Sequence, residues 1–140
     1  AKQSHRHAAR QQEQERAAKE EQVRHQAYHD ALTGLPNRAY FSERLGETIA
    51  LAQRTNQTCA LMFVDLDRFK IVNDSLGHEA GDSLLKVVSD RIHGCLRQSD
   101  LLFRMGGDEF TIILPQITTP EDAAFAARRG GCCSGVGARA

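Results

Sequence analysis

Large apolar side chains divide this chain into three unlike stretches. Over residues 1–29 they are nearly absent: Ala9, Ala17, Val23 and Ala27 form a thin stripe among Gln, Glu, Arg, Lys and further Ala, without Gly or Pro. These residues favour helix, and Glu20 stands four positions before Arg24, a stabilising spacing on a helix face. The segment therefore predicts a helix with little to bury. Two readings stay open: a short coiled-coil connector to an upstream domain, and a solvated, partly frayed helix.

Residues 30–129 hold nearly all the large apolar side chains. Asp30 to Arg38, DALTGLPNR, interrupts the helical pattern with Gly34 and Pro36. Asn37 predicts the N-cap of a second helix whose apolar face is Phe41, Leu45, Ile49 and Ala52, ending near Arg54-Thr55-Asn56. Cys59 to Asp65 is a short continuous apolar run ending in acid, the pattern of a buried strand. Leu84, Leu85, Val88, Ile92 and Cys95 mark a helix of about four turns. Leu101–Met105 and Phe110–Leu114 read as two strands joined by a tight turn at Gly106-Gly107-Asp108. Thr119-Pro120-Glu121-Asp122 starts a last helix with N-cap, first-position Pro and first-turn acids. The order α-α-β-α-β-β-α predicts an α/β fold, an α+β sandwich of helices on a small sheet. Residues 130–140, GGCCSGVGARA, carry four Gly and one large apolar residue, Val136. They have neither strand alternation nor a helical face.

The length of 140 residues fits one domain, and 18 basic residues balance 18 acidic ones. Zero net charge argues against bulk attraction to nucleic acid or acidic lipid. No apolar run approaches the roughly 20 residues of a membrane span. The chain opens on Ala1 without a signal-peptide pattern, so it reads as a piece of a longer chain. Cys59 and Cys95 sit in apolar runs as small core residues, and Cys132-Cys133 lacks zinc-site spacing. Nothing calls for an oxidising compartment, so the expected setting is cytoplasmic, with the parent protein free to be membrane-anchored upstream.

Candidate chemistry joins two distant places. Asp65 ends a strand, and Asp67 shares its face if the strand continues that far. Asp108 and Glu109 stand at the tip of the hairpin. Neighbouring carboxylates repel unless a proton or cation neutralises them. A hard divalent ion suits them, and Mg²⁺ uses one or two carboxylates plus water and substrate phosphates. Gly106 and Gly107 let an anion approach the backbone, and Lys70 adds charge. Together these suggest nucleoside triphosphate chemistry; the bland alternative is an acidic strand end and an ordinary turn. Other templates fail. Lys70 stands where an EF-hand starting at Asp65 needs Gly. There is no P-loop, and no Ser or Cys sits in a nucleophile elbow. His25 and His29 lack the acid of a zinc-protease helix, Gln26 standing in its place, and read as surface residues.

Arg104-Met105-Gly106-Gly107-Asp108-Glu109-Phe110 resembles the signature of GGDEF domains, the bacterial diguanylate cyclases. DALTGLPNR at 30–38, FVDLDRFKIVND at 63–74 and LGHEAGD at 76–82 follow the family's order and approximate spacing. The resemblance covers about residues 27–129. It implies a palm-like fold related to nucleotide cyclases and polymerases, with a mainly antiparallel central sheet, flanking helices and a preceding N-terminal helix. The implied division is a helical linker at 1–29, a truncated GGDEF domain at 30–129 and an anomalous tail at 130–140.

The resemblance also implies an activity. Two GTP molecules condense to cyclic di-GMP and two pyrophosphates in a homodimer, each 3′-hydroxyl attacking the α-phosphate held by the other subunit. Carried over by position, Asp65 binds Mg²⁺ (or Mn²⁺) through its carboxylate, Leu66 through its carbonyl, and Asp108 completes the metal site and helps deprotonate the hydroxyl. Glu109 matches an essential position without an assigned role. Asn73 and Asp82 match guanine readers, which their donors and acceptors suit; taken alone they read as a turn residue and a helix N-cap. Phe69 and Lys70 fall beside the triphosphate. Arg97-Gln98-Ser99-Asp100 fits the family's inhibitory RxxD motif, where cyclic di-GMP binds as product; taken alone it reads as a helix-end salt bridge. The implied partners are GTP, cyclic di-GMP, a second copy and an upstream sensor or receiver domain, with no nucleic acid.

The departure lies after Arg129, where the family continues with strands, helices and basic residues that contact phosphate. A truncated or frame-shifted end, or a short flexible tail, accounts for GGCCSGVGARA. Missing strands would leave sheet edge and core exposed, so the chain is expected to be unstable or weakly active. Besides an active cyclase, two readings remain: a degenerate module that binds GTP or cyclic di-GMP without catalysis, and a dimerisation or signalling linker working through residues 1–29.

Overall fold

The computed structural model describes residues 2–122, 124 and 136–139. Helix α1 runs Lys2–Tyr28 with no buried residue, as its thin stripe predicts. Its ion pair joins Arg16 to Glu20 at 3.9 Å, one step earlier than the expected Glu20–Arg24 pair. Both side chains are exposed, so the pair adds little.

Residues 29–37 turn the chain back. The Gly34 N–H donates to the Asp30 carbonyl, and Gly34 takes a φ of 73° that suits glycine. Asn37 links two helices. Its backbone N–H donates to the Tyr28 carbonyl and its Nδ2 to the Ala27 carbonyl, while its Oδ1 accepts from the Tyr40 N–H. It thus closes α1 and caps α2, Arg38–Thr55, as the sequence predicts. Asn56, left-handed at φ 53°, ends α2. The buried face of α2 runs through Thr48 and Ala52, with Phe41 half-buried, whereas Ile49 is exposed.

The sheet order is β2-β3-β1-β4, antiparallel throughout: β1 Thr58–Leu66, β2 Leu101–Gly106, β3 Glu109–Ile117 and β4 Val136–Arg139. β1 alternates. Met62, Val64 and Leu66 join Leu85, Val88 and Ile92 of α4, His78–Cys95, in the main core. Phe63 and Asp65, between them, are exposed. β3 is buried from Phe110 to Leu114, because α4 covers one face and α2 the other. Phe103 of β2 is fully buried, meeting Tyr40 and Phe41 edge-on at 6.3 and 5.4 Å.

Three features differ from the sequence pattern's expectation. A separate helix α3, Phe69–Leu76, precedes α4; Gly77, at φ 90°, divides them. The tail contributes β4, which pairs with Phe63–Leu66 of β1. Strand pairing is made by main-chain groups, so an unpaired edge accepts a segment lacking side-chain alternation. Cys59 and Cys95 are half-buried rather than core residues. The Thr118 and Thr119 N–H groups both donate to Asp122, and Pro120 opens a helical turn. Apart from Ala124, the rest of the helix expected to 129 lies outside the described residues, as do Cys132 and Cys133. No helix among the described residues is long and apolar enough to cross a membrane.

Candidate functional site

The end of β1 and the start of β3 place the acidic residues. Asp65 lies directly opposite Glu109 in the antiparallel register. Two carboxylates so placed destabilise a strand pair unless something of opposite charge joins them. Asp65, Glu109, Arg38, Phe63 and Thr111 line one cavity of about 220 Å³. The Thr111 hydroxyl is buried and finds no hydrogen-bond partner among the described residues. The Asp65 and Glu109 carboxylates are hard oxygen donors of the kind that suits a divalent cation, and Arg38 brings a positive charge to the same cavity. Among the described residues no three His, Cys, Asp or Glu side chains cluster to enclose an ion.

β1 stops at Leu66, so Asp67 falls in the following turn and does not extend the Asp65 face as the period of two anticipated. Leu66 itself is buried at the strand end. Arg68, left-handed at φ 62°, then starts α3.

The turn between β2 and β3 is two residues, Gly107 and Asp108, with Gly106 paired to Glu109. Gly106 at φ 143° and Gly107 at φ 52° adopt conformations costly to other residues. Arg104 grips this turn: its Nη2 and Nε donate to the Gly107 carbonyl at 2.9 and 3.2 Å. Its Nη1 donates to the Asp30 carboxylate at 2.8 Å. Arg104 and Asp30 are 13% and 20% exposed, the best-sheltered ion pair described. Burial raises the Asp30 carboxyl's pKa, but hydrogen bonds from Thr33 and Arg104, with the Arg104 charge, outweigh it and hold the carboxyl below its ordinary value. The glycine turn is thereby fastened to the junction that follows α1. Asp108 is half-buried and Glu109 exposed.

The remaining sequence candidates fall on α3 and α4. Phe69 opens α3 and packs half-buried on the core; Lys70 beside it is exposed. Asn73 lies three positions beyond Lys70 on the same face. It is inside α3 and not in a turn, and Asp82 is the fifth residue of α4 and not its N-cap, which is Gly77. Arg97 and Asp100 lie after α4, before β2. The Asp100 carboxylate accepts from the Arg97 backbone N–H at 2.9 Å and lies 3.7 Å from its guanidinium, which is half exposed. The six residues of β2 separate this pair from the glycine turn by about 20 Å.

No role for Arg38, or for Arg104 and Asp30 as a pair, follows from the sequence pattern alone. An isolated Arg within the apolar strand LLFRM was the available signal for Arg104. A larger cavity of about 370 Å³ at the junction of α1 and α2 mixes Arg24 and Arg44 with Glu21, Glu43 and Glu47. His25 and His29 also line it, and it holds none of the acidic or glycine residues of the candidate site.

The fold and site together define an α+β domain of helices on an antiparallel sheet, with paired carboxylates beside a glycine turn. The sequence matches the family described as "Diguanylate cyclase, GGDEF domain" over residues 27–131. It is 50% identical over 99 residues to diguanylate cyclase TpbB of Pseudomonas aeruginosa, covering 71% of this chain and 23% of TpbB. It is 49% identical over 108 residues to the probable diguanylate cyclase DgcE of Escherichia coli, covering 77% of this chain and 10% of DgcE. The solved coiled coil and GGDEF domain of DgcB from Caulobacter crescentus, in complex with c-di-GMP, matches with a TM-score of 0.81 and 31% identity, covering 93% of this chain and 68% of that one. This chain belongs to the GGDEF family. It spans about a quarter of TpbB and a tenth of DgcE.

Proposed function

We propose that this chain is a diguanylate cyclase domain that condenses two GTP molecules into cyclic di-GMP. The observation that carries this reading is the Asp65–Glu109 register beside the clamped Gly107-Asp108 turn. The half-identical relatives named diguanylate cyclases support it. In each half-reaction a 3′-oxygen bonds to the α-phosphorus of the other GTP, the bond to pyrophosphate breaks, and the hydroxyl proton leaves. Two such steps close the ring and release two pyrophosphates.

Asp65, the Leu66 carbonyl and Asp108 hold a divalent cation, Mg²⁺ or Mn²⁺. Bound there, it supplies charge neutralisation along the triphosphate. Asp108, at the turn, also accepts the hydroxyl proton. Gly106 and Gly107 admit the phosphates to the backbone, and Lys70 and Phe69 flank them. Asn73 and Asp82 read guanine, whose N1–H and N2 amine meet the Asp82 carboxylate. Catalysis rests on positioning and on electrostatics fixed in advance, as in phosphoryl transfer generally. One subunit holds one GTP, so the active form is a homodimer, with α1 leading to an upstream sensor or receiver domain. Arg97 and Asp100 bind cyclic di-GMP and restrain turnover. The intracellular substrate points to action on the cytoplasmic side.

Incubation with GTP and Mg²⁺ followed by mass analysis of the nucleotides tests the proposal. Cyclic di-GMP is expected, at a rate rising faster than linearly with protein concentration where dimers are scarce. GTP bound and recovered unchanged would instead indicate a non-catalytic module.

A further inference from the structure

Gly81 stands apart from the other glycines. It is buried in the first turns of α4, and its conformation is not one that requires glycine. A Cβ built there would overlap Asn73 Oδ1 and stand 2.9 Å from Asn73 Cγ. At Gly34, Gly46, Gly77, Gly94, Gly106 and Gly107 the same construction meets nothing within 4 Å. The absent side chain at 81 is therefore the space that the Asn73 amide occupies.

That amide is half-buried between α3 and α4 and takes no hydrogen-bond partner among the described residues. Its donor and acceptor are thus free to meet an incoming polar edge. Asp82, the next residue after Gly81, is exposed at the same place. A methyl group at 81 leaves the α4 backbone undisturbed but pushes the short Asn73 side chain to another rotamer.

We infer that Gly81 is a specificity-determining positioning residue: its missing side chain seats the Asn73 amide where a guanine edge is read. This rests on the proposed reading of Asn73 as a guanine contact. Gly81 touches no substrate and acts through Asn73 alone, so its effect must vanish once Asn73 is shortened.

The test is a double-mutant cycle on the whole chain with Asn73→Ala, Gly81→Ala and the double variant. Calorimetry measures affinity for the α,β-methylene analogues of GTP and ATP, which cannot react. Gly81→Ala is expected to weaken the GTP analogue by about tenfold, equivalent to about 1.4 kcal/mol, with the ATP analogue unaffected. The double variant should bind no more weakly than Asn73→Ala. A wild-type Gly81→Ala, or losses that multiply in the double variant, overturns the inference while leaving Asn73 as a guanine contact. Wild-type binding by Asn73→Ala overturns that reading and the inference with it.

Thermal melts accompany each measurement, and alanine's helix preference over glycine favours a folded Gly81→Ala chain. If that chain fails to fold while the double variant folds, the clash is with Asn73, as inferred. If neither folds, the inference fails.

Discussion

Arg104 holds together two parts of the chain that lie 74 residues apart. One side of its guanidinium holds the Gly107 carbonyl and the other the Asp30 carboxylate, so loss of Asp30 leaves a sheltered cation underpaired. Asp30→Asn is expected to destabilise the domain by about 1–3 kcal/mol in denaturant titrations near neutral pH. The Asp30 carboxyl lies below its ordinary 3.8. Its contribution is complete above the unfolded value and fades as pH falls through the lower folded value. The difference between wild type and Asp30→Asn should therefore hold above about pH 4 and shrink below it. A difference constant down to pH 2 would contradict the assignment. At Arg97, half exposed and beyond β2, the expected effect is on regulation: Arg97→Ala should keep basal turnover and lose inhibition by added cyclic di-GMP. Unchanged inhibition would remove Arg97 from the product site.

Packing of whole elements explains which parts of the fold were legible in the sequence. Asn37 was readable as a cap because one side chain reaching the third residue of a helix is a local event. The run from Phe110 to Leu114 was readable as strand because both its faces are covered. Ile49 fitted the helical period yet is exposed, since the face of α2 is set by where Phe103 and the sheet lie, and the period cannot supply that. Helix α3 went unread because FKIVNDSL is only eight residues long and abuts α4 at a single glycine. β4 was invisible because its pairing uses the main chain. α2 depends on Phe103: Phe103→Ala removes the ring that Tyr40 and Phe41 pack against and should cost about 3–5 kcal/mol of stability. A loss under 1 kcal/mol would mean that α2 is held elsewhere.

At the scale of the molecule, the motifs named the family, while the geometry redistributed their roles. The sequence placed Asp65 with Asp67; the fold ends β1 at Leu66 and sets Asp65 against Glu109 instead. Asn73 packs against Gly81, the residue before Asp82, because Gly77 divides α3 from α4 and Gly81 leaves room for its amide. The expected bare sheet edge carries β4 beside Phe63–Leu66. Asp30 and Arg104 join the glycine turn to the junction after α1. In the proposed cyclase these acids serve catalysis as well as binding. The most direct measurement is cyclic di-GMP formation from GTP and Mg²⁺ by wild type and by Asp65→Asn, with GTP binding followed in parallel. Wild type is expected to form product and Asp65→Asn to lose at least about a hundredfold in rate, both chains remaining folded. Wild-type chain that binds GTP and forms no cyclic di-GMP, or Asp65→Asn that turns over normally, would contradict it.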